Sequence, residues 1–288
     1  MSDDAQILDR GYRQYDGDRT GIAGAVRTVT VQGIRGVLGL GRPARTKILP
    51  IVVAVIAYLP AIVFVGLAVL IGDWLDPNTI ADYAGYYGFI ILALVLFASF
   101  VAPEALTGDR RNGLLPLYLS TPLTRSTYVV SKCLAVFLVM LLVTVGPPFI
   151  QLVGYSFEGA GPDGVSGWLG IAWRIVVSGV IVAAVFSGVA LGLASLTDRR
   201  AWASVGIVLL LLLSGVVTSV LVETADVDTR AYLFNLLLAP FELVVRIYGE
   251  TSEQPDLGTT ELWIANIAWA AGGFGLCWYR YQRMAVSR

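Results

Sequence analysis

Long apolar runs separated by short polar stretches dominate the chain after residue 47. A helix of about 20 apolar residues is long enough to cross the hydrocarbon core of a bilayer. The pattern predicts six membrane spans, at about residues 48–71, 85–101, 128–153, 168–196, 201–222 and 262–279. The sequence therefore predicts an all-α integral membrane protein with one transmembrane domain over residues 48–280.

The two ends of the chain are polar by comparison. Residues 1–21 are rich in Asp and Arg and are predicted to form a flexible tail, and residues 281–288 form a second tail. Residues 22–47 mix aliphatic side chains with Arg and Lys directly before the first span, which is typical of a helix lying in the membrane interface. A basic determinant of topology without further function is the alternative for this stretch.

The connection at residues 223–261 is too long and too apolar to be a plain loop. Two short hydrophobic pieces flank Pro240, and neither can cross the bilayer. We expect a re-entrant helical pair broken at Pro240, which serves as an external gate or as a structural cap. Glu242 and Arg246 stand four residues apart and are expected to pair at the exposed interface. A seventh span is rejected, since it would carry both charges into hydrocarbon at about 2.5–3.5 kcal/mol each.

Basic residues are unevenly distributed among the loops. With a cytoplasmic N-terminus, seventeen of the twenty Lys and Arg residues lie on the inner side, and Arg174, Arg230 and Arg246 lie on the outer side. The positive-inside rule therefore puts both termini, and the loop at residues 102–127, in the cytoplasm. Arg strongly outnumbers Lys, which hints at a bacterial genome of high GC content, so we expect the bacterial plasma (inner) membrane.

Several kinds of chemistry are missing from the sequence. It contains no His and no GxxxxGK[ST] pattern, so the chain cannot cradle ATP phosphates in the usual way. Cys133 and Cys277 each lie in a predicted span, which argues against a disulfide framework or a thiolate metal site. Lys132 and Arg174, near span ends, are the ionisable groups of note within the spans, which disfavours an ion-driven carrier. The energy for a pump must therefore come from another polypeptide.

The loop at residues 102–127 contains more than a turn between two spans requires. Glu104 stands near its membrane edge, a basic pair and a short apolar segment follow, and a Thr-Pro turn precedes the next span. The apolar segment at residues 114–119 is too short to cross a bilayer. A compact amphipathic segment flanked by Arg is suited to docking into a hydrophobic groove on a soluble partner.

The run GLLPLYLSTPLTR from Gly113 to Arg125, with Glu104 upstream and Lys132 downstream, resembles the coupling loop of ABC-2-type transporter permeases. In that family the loop follows the second span and contacts the ATP-binding subunit. The resemblance implies a set of ATPase-coupling residues: Glu104, Arg110, Arg111, Gly113, Leu114, Leu115, Leu117, Leu119, Thr121, Pro122, Arg125 and Lys132.

Pro116 departs from the family pattern, which usually has a helix-favouring and often acidic residue there. Proline is tolerated in the first turn of a helix but costs about 3 kcal/mol in its interior. The coupling helix therefore either starts near Leu115 or is distorted. The leucines of the segment are expected to fill a groove on the ATPase, and its arginines to meet acidic residues there. Glu104 and Lys132 are expected to anchor the loop to its own spans.

The resemblance also implies an architecture and partners. It implies an N-terminal elbow helix, a cytoplasmic coupling helix, an external re-entrant pair and an exporter fold in which the first and fifth spans meet across a dimer. The partners would be two ABC ATP-binding subunits, which hold ATP and Mg, a second permease copy or a related permease, and membrane lipids. The chain itself would hold no cofactor and would bind no nucleic acid. The expected process is ATP-driven export of an amphipathic or lipid-like substrate.

Two other classes of function remain open. A non-transporting membrane scaffold or assembly protein would also explain the apolar spans without catalytic groups. A membrane-embedded lipid-modifying enzyme would need clustered polar residues at one membrane face, where Glu104, Asp109 and Asp198 are the candidates. These three acids have no known metal-ligand spacing.

Overall fold

The computed structural model describes residues 20–41, 43–44, 47–71 and 82–284, together with residue 17, and these residues form helices and no strand. The predicted N-terminal tail and the last four residues of the C-terminal tail lie almost wholly outside the described part of the chain. The α-helices are α1 (Gly21–Val37), α2 (Ile48–Ile71), α3 (Tyr86–Phe89), α4 (Ile91–Arg111), α5 (Leu115–Leu119), α6 (Arg125–Thr144), α7 (Gly146–Phe157), α8 (Gly164–Ala194), α9 (Arg200–Glu223), α10 (Leu238–Tyr248) and α11 (Thr259–Gln282). A 3₁₀ helix, Thr229–Phe234, precedes α10.

Within the described part of the chain, five helical stretches are long and apolar enough to cross a membrane. They are Ile48–Leu70, Ile91–Arg111, Arg125–Phe157, Gly164–Ala194 and Arg200–Glu223. α11 has 24 residues and covers the sixth predicted span, but its Trp, Tyr, Gly and Asn residues lower its mean hydropathy. The helical class is thus confirmed, while the number of spans stays a prediction.

α4 is longer than the second predicted span. It begins after the short helix α3 and continues to Arg111, so residues 102–111, which the sequence analysis assigned to a loop, are helical. The side chains of Ala102, Ala105 and Leu106 are buried. The buried face of the helix therefore continues beyond the last apolar run in the sequence, and the loop that remains is short.

The third predicted span is broken at Val145 between α6 and α7. Pro147 and Pro148 stand in the first turn of α7, where a missing N–H is tolerated because no intrahelical partner is needed there. The same prolines leave carbonyls at the end of α6 without their helical donors. The Tyr87 hydroxyl donates to one of them, the Thr144 carbonyl, at 3.0 Å.

α8 is the central helix, and most of its length is buried inside the protein. Its Gly188 and Gly192 lie against the backbone of α11, since a Cβ atom on them would stand 2.7 Å from the Ala270 oxygen and 2.9 Å from the Gly273 oxygen. These small residues therefore serve packing within the chain. In contrast, α2 and α9 are the least buried of the five long apolar helices.

α1 packs along α6 rather than standing apart from the bundle. Val29, Thr30, Gly33 and Val37 form its buried face. A Cβ atom on Gly33 would lie 2.8 Å from the Cβ of Ala135, so the two helices approach closely. α1 lies within the stretch predicted to be an elbow helix, whose position in the membrane interface stays a prediction.

Candidate functional site

Two backbone motifs fix the ends of the segment between α4 and α6. α4 ends in a Schellman motif, in which the Leu114 N–H donates to the Asp109 carbonyl at 2.9 Å and the Gly113 N–H to the Arg110 carbonyl at 3.2 Å. Gly113 has φ +62°, a conformation that favours glycine. At the other end, the side chain of Thr124 caps α6 in a capping box. The segment is therefore held firmly on both sides.

α5 begins at Leu115, with Pro116 in its first turn. The structure thus selects the first of the two alternatives for Pro116, because a proline in the first turn removes no intrahelical hydrogen bond. The helix is five residues long and is followed directly by the turn at Ser120.

The sequence analysis expected the leucines of the segment to face outward, but in the structure they do not all do so. Leu115 is buried in the protein, Leu114 and Leu119 are half-buried, and Leu117 is 66% exposed. A five-residue helix has two faces, and one of them is needed to pack α5 onto its own chain. The outward surface of the segment, here called the docking strip, consists of Arg111, Gly113, Pro116, Leu117, Ser120, Thr121 and Pro122.

Three tyrosine rings that contact one another in sequence connect α5 to α6 and α11. The ring of Tyr118 lies 5.2 Å from that of Tyr128 in α6, which lies 5.9 Å from that of Tyr281 in α11. The Lys132 ammonium is 5.7 Å from the centres of both the Tyr118 and the Tyr128 rings, within the range of a cation–π interaction.

Asp109 of α4 completes this cluster. It forms an ion pair with Lys132 at 2.6 Å and accepts a hydrogen bond from the Tyr128 hydroxyl at 2.8 Å. Lys132 of α6 is therefore joined to the C-terminal part of α4 through Asp109. Glu104, the other predicted anchor, pairs with Arg200 of α9 at 2.5 Å.

Arg110 and Arg125 were expected to meet an ATPase, but both make contacts within their own chain, and their role towards a partner stays a prediction. The Arg110 side chain is 10% exposed and pairs with Asp198 at 2.7 Å. It also donates to the Ser195 carbonyl at 2.9 Å, at the C-terminal end of α8, where a cation is favoured. Arg125 donates to the Gln282 carbonyl at 2.7 Å. Of the three predicted arginines, Arg111 is the one whose side chain is exposed.

The outer segment, residues 229–257, breaks at Asn235 and not at Pro240. The 3₁₀ helix ends at Phe234, and the Asn235 side-chain oxygen accepts hydrogen bonds from the N–H groups of Leu237 and Leu238 at 3.0 and 2.9 Å. Asn235 thus acts as a cap at the start of α10. Pro240 stands in the first turn of α10, where proline is tolerated.

Glu242 and Arg246 pair at 3.3 Å, but the pair is buried and not exposed, with Glu242 at 2% side-chain exposure. Arg246 also donates to the carbonyls of Gln254 and Leu257 at 2.9 and 3.0 Å and to the Ser252 hydroxyl at 3.0 Å. The sequence analysis treated this as a surface i,i+4 pair because the chain that covers it lies several residues further on.

A further acidic pair lies beside α10. The Arg174 guanidinium donates to the Tyr248 carbonyl at 3.0 Å, close to Glu250 and Asp82. Burial, followed by the charge of Asp82 and a hydrogen bond to it, raises the pKa of Glu250 to about 7, and Arg174 opposes the shift. No local pattern in the sequence could have indicated this pair, since its two acids are far apart in the chain.

The three acids that an enzyme at the membrane face would use are all paired with basic side chains. Glu104, Asp109 and Asp198 each form an ion pair with a basic side chain of this chain. In that part of the chain no group of three or more His, Cys, Asp or Glu residues could hold a metal ion. The ion pairs of these three acids therefore join α4 to its neighbours.

The sequence model of one protein family, described as ABC-2 family transporter protein, matches residues 76–286. The chain belongs to the ABC-2 transporter family. The match includes α4 to α11 and hence both the coupling-loop residues and the outer segment. This ABC-2 protein is accordingly a multi-pass membrane protein and a permease of the ABC transporter type, a transport subunit rather than an enzyme. Such permeases normally work with an ABC ATPase subunit. A search of curated proteins finds no match to the chain.

Proposed function

We propose that this ABC-2 protein is the membrane subunit of an ATP-driven exporter, and that an ABC ATPase binds its docking strip. The observation that carries the proposal is the two-sided character of α5. Leu115 is buried in the chain, while Leu117 on the other face is 66% exposed and stands between exposed residues of the loop. An exposed leucine on a rigidly held turn is suited to a hydrophobic groove on a partner.

The contacts behind the docking strip support a role in transmission. Tyr118 belongs to α5, and its ring contacts Tyr128 and the Lys132 ammonium of α6, which in turn pairs with Asp109 of α4. A displacement of α5 would therefore also displace α4, α6 and α11, because their side chains are in direct contact. Arg110 extends the connection to the turn between α8 and α9.

The family and the charge distribution support a proposal for the complete transporter. We infer six spans with both termini in the cytoplasm of a bacterium, two copies of this chain or of it and a related permease, and two ATPase subunits that hold ATP and Mg. The substrate is proposed to be amphipathic, as the long helices carry few charges. Pro240, Glu242 and Arg246 of the outer segment are proposed to move together if this segment acts as an external gate.

The test is binding of the ATPase to variants of α5. The chain is co-expressed with ABC ATPases of its source genome, and the ATPase that binds the wild type is used for comparison. Leu117→Asp should weaken its binding at least about tenfold, because burial of one leucine contributes roughly 1.5–3 kcal/mol. Leu40→Asp is the matched control, since Leu40 is an exposed leucine in the turn after α1. Normal ATPase binding and export by Leu117→Asp would refute the docking strip.

A further inference from the structure

A cavity of about 1100 Å³ opens between α4 and α9 at the end of the bundle that carries the docking strip. Its walls are mostly apolar, with Leu96 and Phe100 of α4 and Val205, Val208 and Leu209 of α9, and they also include Ser99, Thr107 and Ser204. The volume is sufficient for a small molecule or a single acyl chain. The cavity is therefore a candidate binding site, and it adjoins the docking strip at Arg111, which belongs to both.

The mouth of this cavity carries an excess of positive charge. Glu104 is paired with Arg200, and Asp198 is paired with Arg110 from behind the mouth. Arg111 and Arg199 also line the mouth, are exposed, and form no ion pair with another described residue. The three arginines and two acids of the lining leave one positive charge, and Arg110, which pairs with Asp198 but does not line the cavity, adds a second.

The N-terminus of α9 adds to this field. Arg199 is the N-cap residue of α9 and makes no side-chain capping bond, and Arg200 and Ala201 of the first turn line the cavity together with Ser204. The N-terminal end of a helix carries partial positive charge. The apolar walls thus end at a positively charged rim, which is the arrangement that an acidic head with an apolar chain requires.

A second cavity has apolar walls but lacks a positively charged rim. It has a volume of about 680 Å³, and its lining from α8, α9 and α11 is also apolar. The charged residues in its lining are Arg230 and Glu261, which form an ion pair at 3.2 Å, so their charges neutralise each other. An apolar ligand would suit that cavity, whereas the positively charged rim of the cavity between α4 and α9 favours a ligand with an anionic head.

We propose that the cavity between α4 and α9 binds an anionic amphiphile, with its acidic head at Arg111 and Arg199 and its chain along the apolar walls. The proposal rests on the proposed export function in one respect: the site is where the permease takes up its substrate. A neutral apolar ligand would not use the two arginines. A small soluble anion would not cover the walls formed by Phe100 and Val208.

The experiment measures binding to the purified permease alone, by native mass spectrometry in a neutral detergent. The probes are dodecyl phosphate, dodecyl phosphocholine, whose head has no net charge, and inorganic phosphate, which has no chain. We expect one molecule of dodecyl phosphate per chain, bound at least about tenfold more tightly than either other probe, because each of those loses one of the two interactions. Equal binding of the two amphiphiles would overturn the proposal.

Two variants locate the site. Arg199→Gln should weaken dodecyl phosphate binding about tenfold by removing one charge-assisted contact. Ser204→Trp, which fills the cavity from α9, should abolish binding. The matched control is Arg35→Gln, because Arg35 is an exposed arginine of α1 outside the cavity. Since Arg199 is exposed, the first variant is informative even if the second one does not fold. Unchanged binding by Arg199→Gln would refute the assigned site.

A competition arm separates a transported amphiphile from an ordinary anionic membrane lipid. Phosphatidylglycerol at the same concentration should leave dodecyl phosphate bound. Displacement would identify bilayer lipid as the occupant and would overturn the role in substrate uptake. Because no ATPase is present in these measurements, failure of ligand binding is independent of the Leu117→Asp result, which tests the proposed function.

Discussion

Two connections of the molecule, the segment between α4 and α6 and the outer segment at residues 229–257, both depend on a buried cation. Lys132 reaches the first segment from another helix, through Asp109 and the Tyr118 ring, and leaves the docking strip exposed. Arg246 belongs to the outer segment itself, and its hydrogen bonds to residues 252, 254 and 257 close that segment. The first segment is therefore fixed by contacts with other helices, whereas the second is fixed mainly by contacts within itself.

This difference bears on the gate. Movement of the outer segment by opening between Glu242 and the chain that covers it would leave a buried charge without its partner, which is costly. A gate would therefore have to move as one body with Arg246 in place. The coupling segment has the opposite property, because any displacement of α5 also displaces the rings and the ion pair behind it.

The largest effect is expected from Arg246→Met, which removes the cation at the centre of the outer segment. Glu242 would stay buried without its counter-charge, and breaking a buried pair costs about 3–5 kcal/mol. Thermal unfolding of the purified chain should show a large loss of stability. The control is Arg230→Met, whose ion pair with Glu261 is mostly exposed and contributes at most about 1 kcal/mol. Equal effects of the two variants would contradict the closed outer segment.

Lys132→Met should have a smaller effect on stability, because Asp109 is 15% exposed and keeps its hydrogen bond from Tyr128. We expect a loss at or below the lower end of the range of about 3–5 kcal/mol for a broken buried pair. Lys132→Met combined with Asp109→Leu should recover part of the loss, since no unpaired charge remains. Thermal unfolding of the two single variants and the double variant forms a double-mutant cycle. A purely additive cycle would show that the pair does not couple α4 to α6.

The sequence predicted the helical class and the family, because apolar runs and the motif around Pro116 are local in the chain, whereas the role of the coupling segment stays a prediction. It did not predict which leucines face outward, since a five-residue helix is too short for periodicity to define a face. Arg110 was assigned to a partner because its own acceptors, near residues 195–198, lie far away in the sequence. The burial of Glu242 was missed for the same reason.

The pH dependence of stability should report on the acid pair beside α10. The pKa of Glu250 is raised from 4.5 to about 7, so the folded state holds this proton more tightly than the unfolded state does. The contribution of Glu250 to stability is therefore lost as the pH rises from 4.5 to about 7. Glu250→Gln should be stabilised relative to the wild type at pH 8, and this difference should shrink at pH 5. Glu253→Gln, at an exposed acid of the same loop, is the control in thermal unfolding.

The smallest effect is expected from Pro116→Ala, which tests how the docking strip is built. Pro116 stands in the first turn of α5, where its ring costs nothing and its missing N–H has no intrahelical partner to lose. The Schellman motif at Gly113 and the capping box at Thr124 hold the segment independently of this residue. ATPase binding and ATPase rate in lipid should stay within about twofold of the wild type, corresponding to roughly 0.4 kcal/mol. Gly113→Ala is the contrasting variant, since a side chain is disfavoured at φ +62°. A strong effect of Pro116→Ala together with a silent Gly113→Ala would show that the proline, and not the helix ends, positions the docking strip.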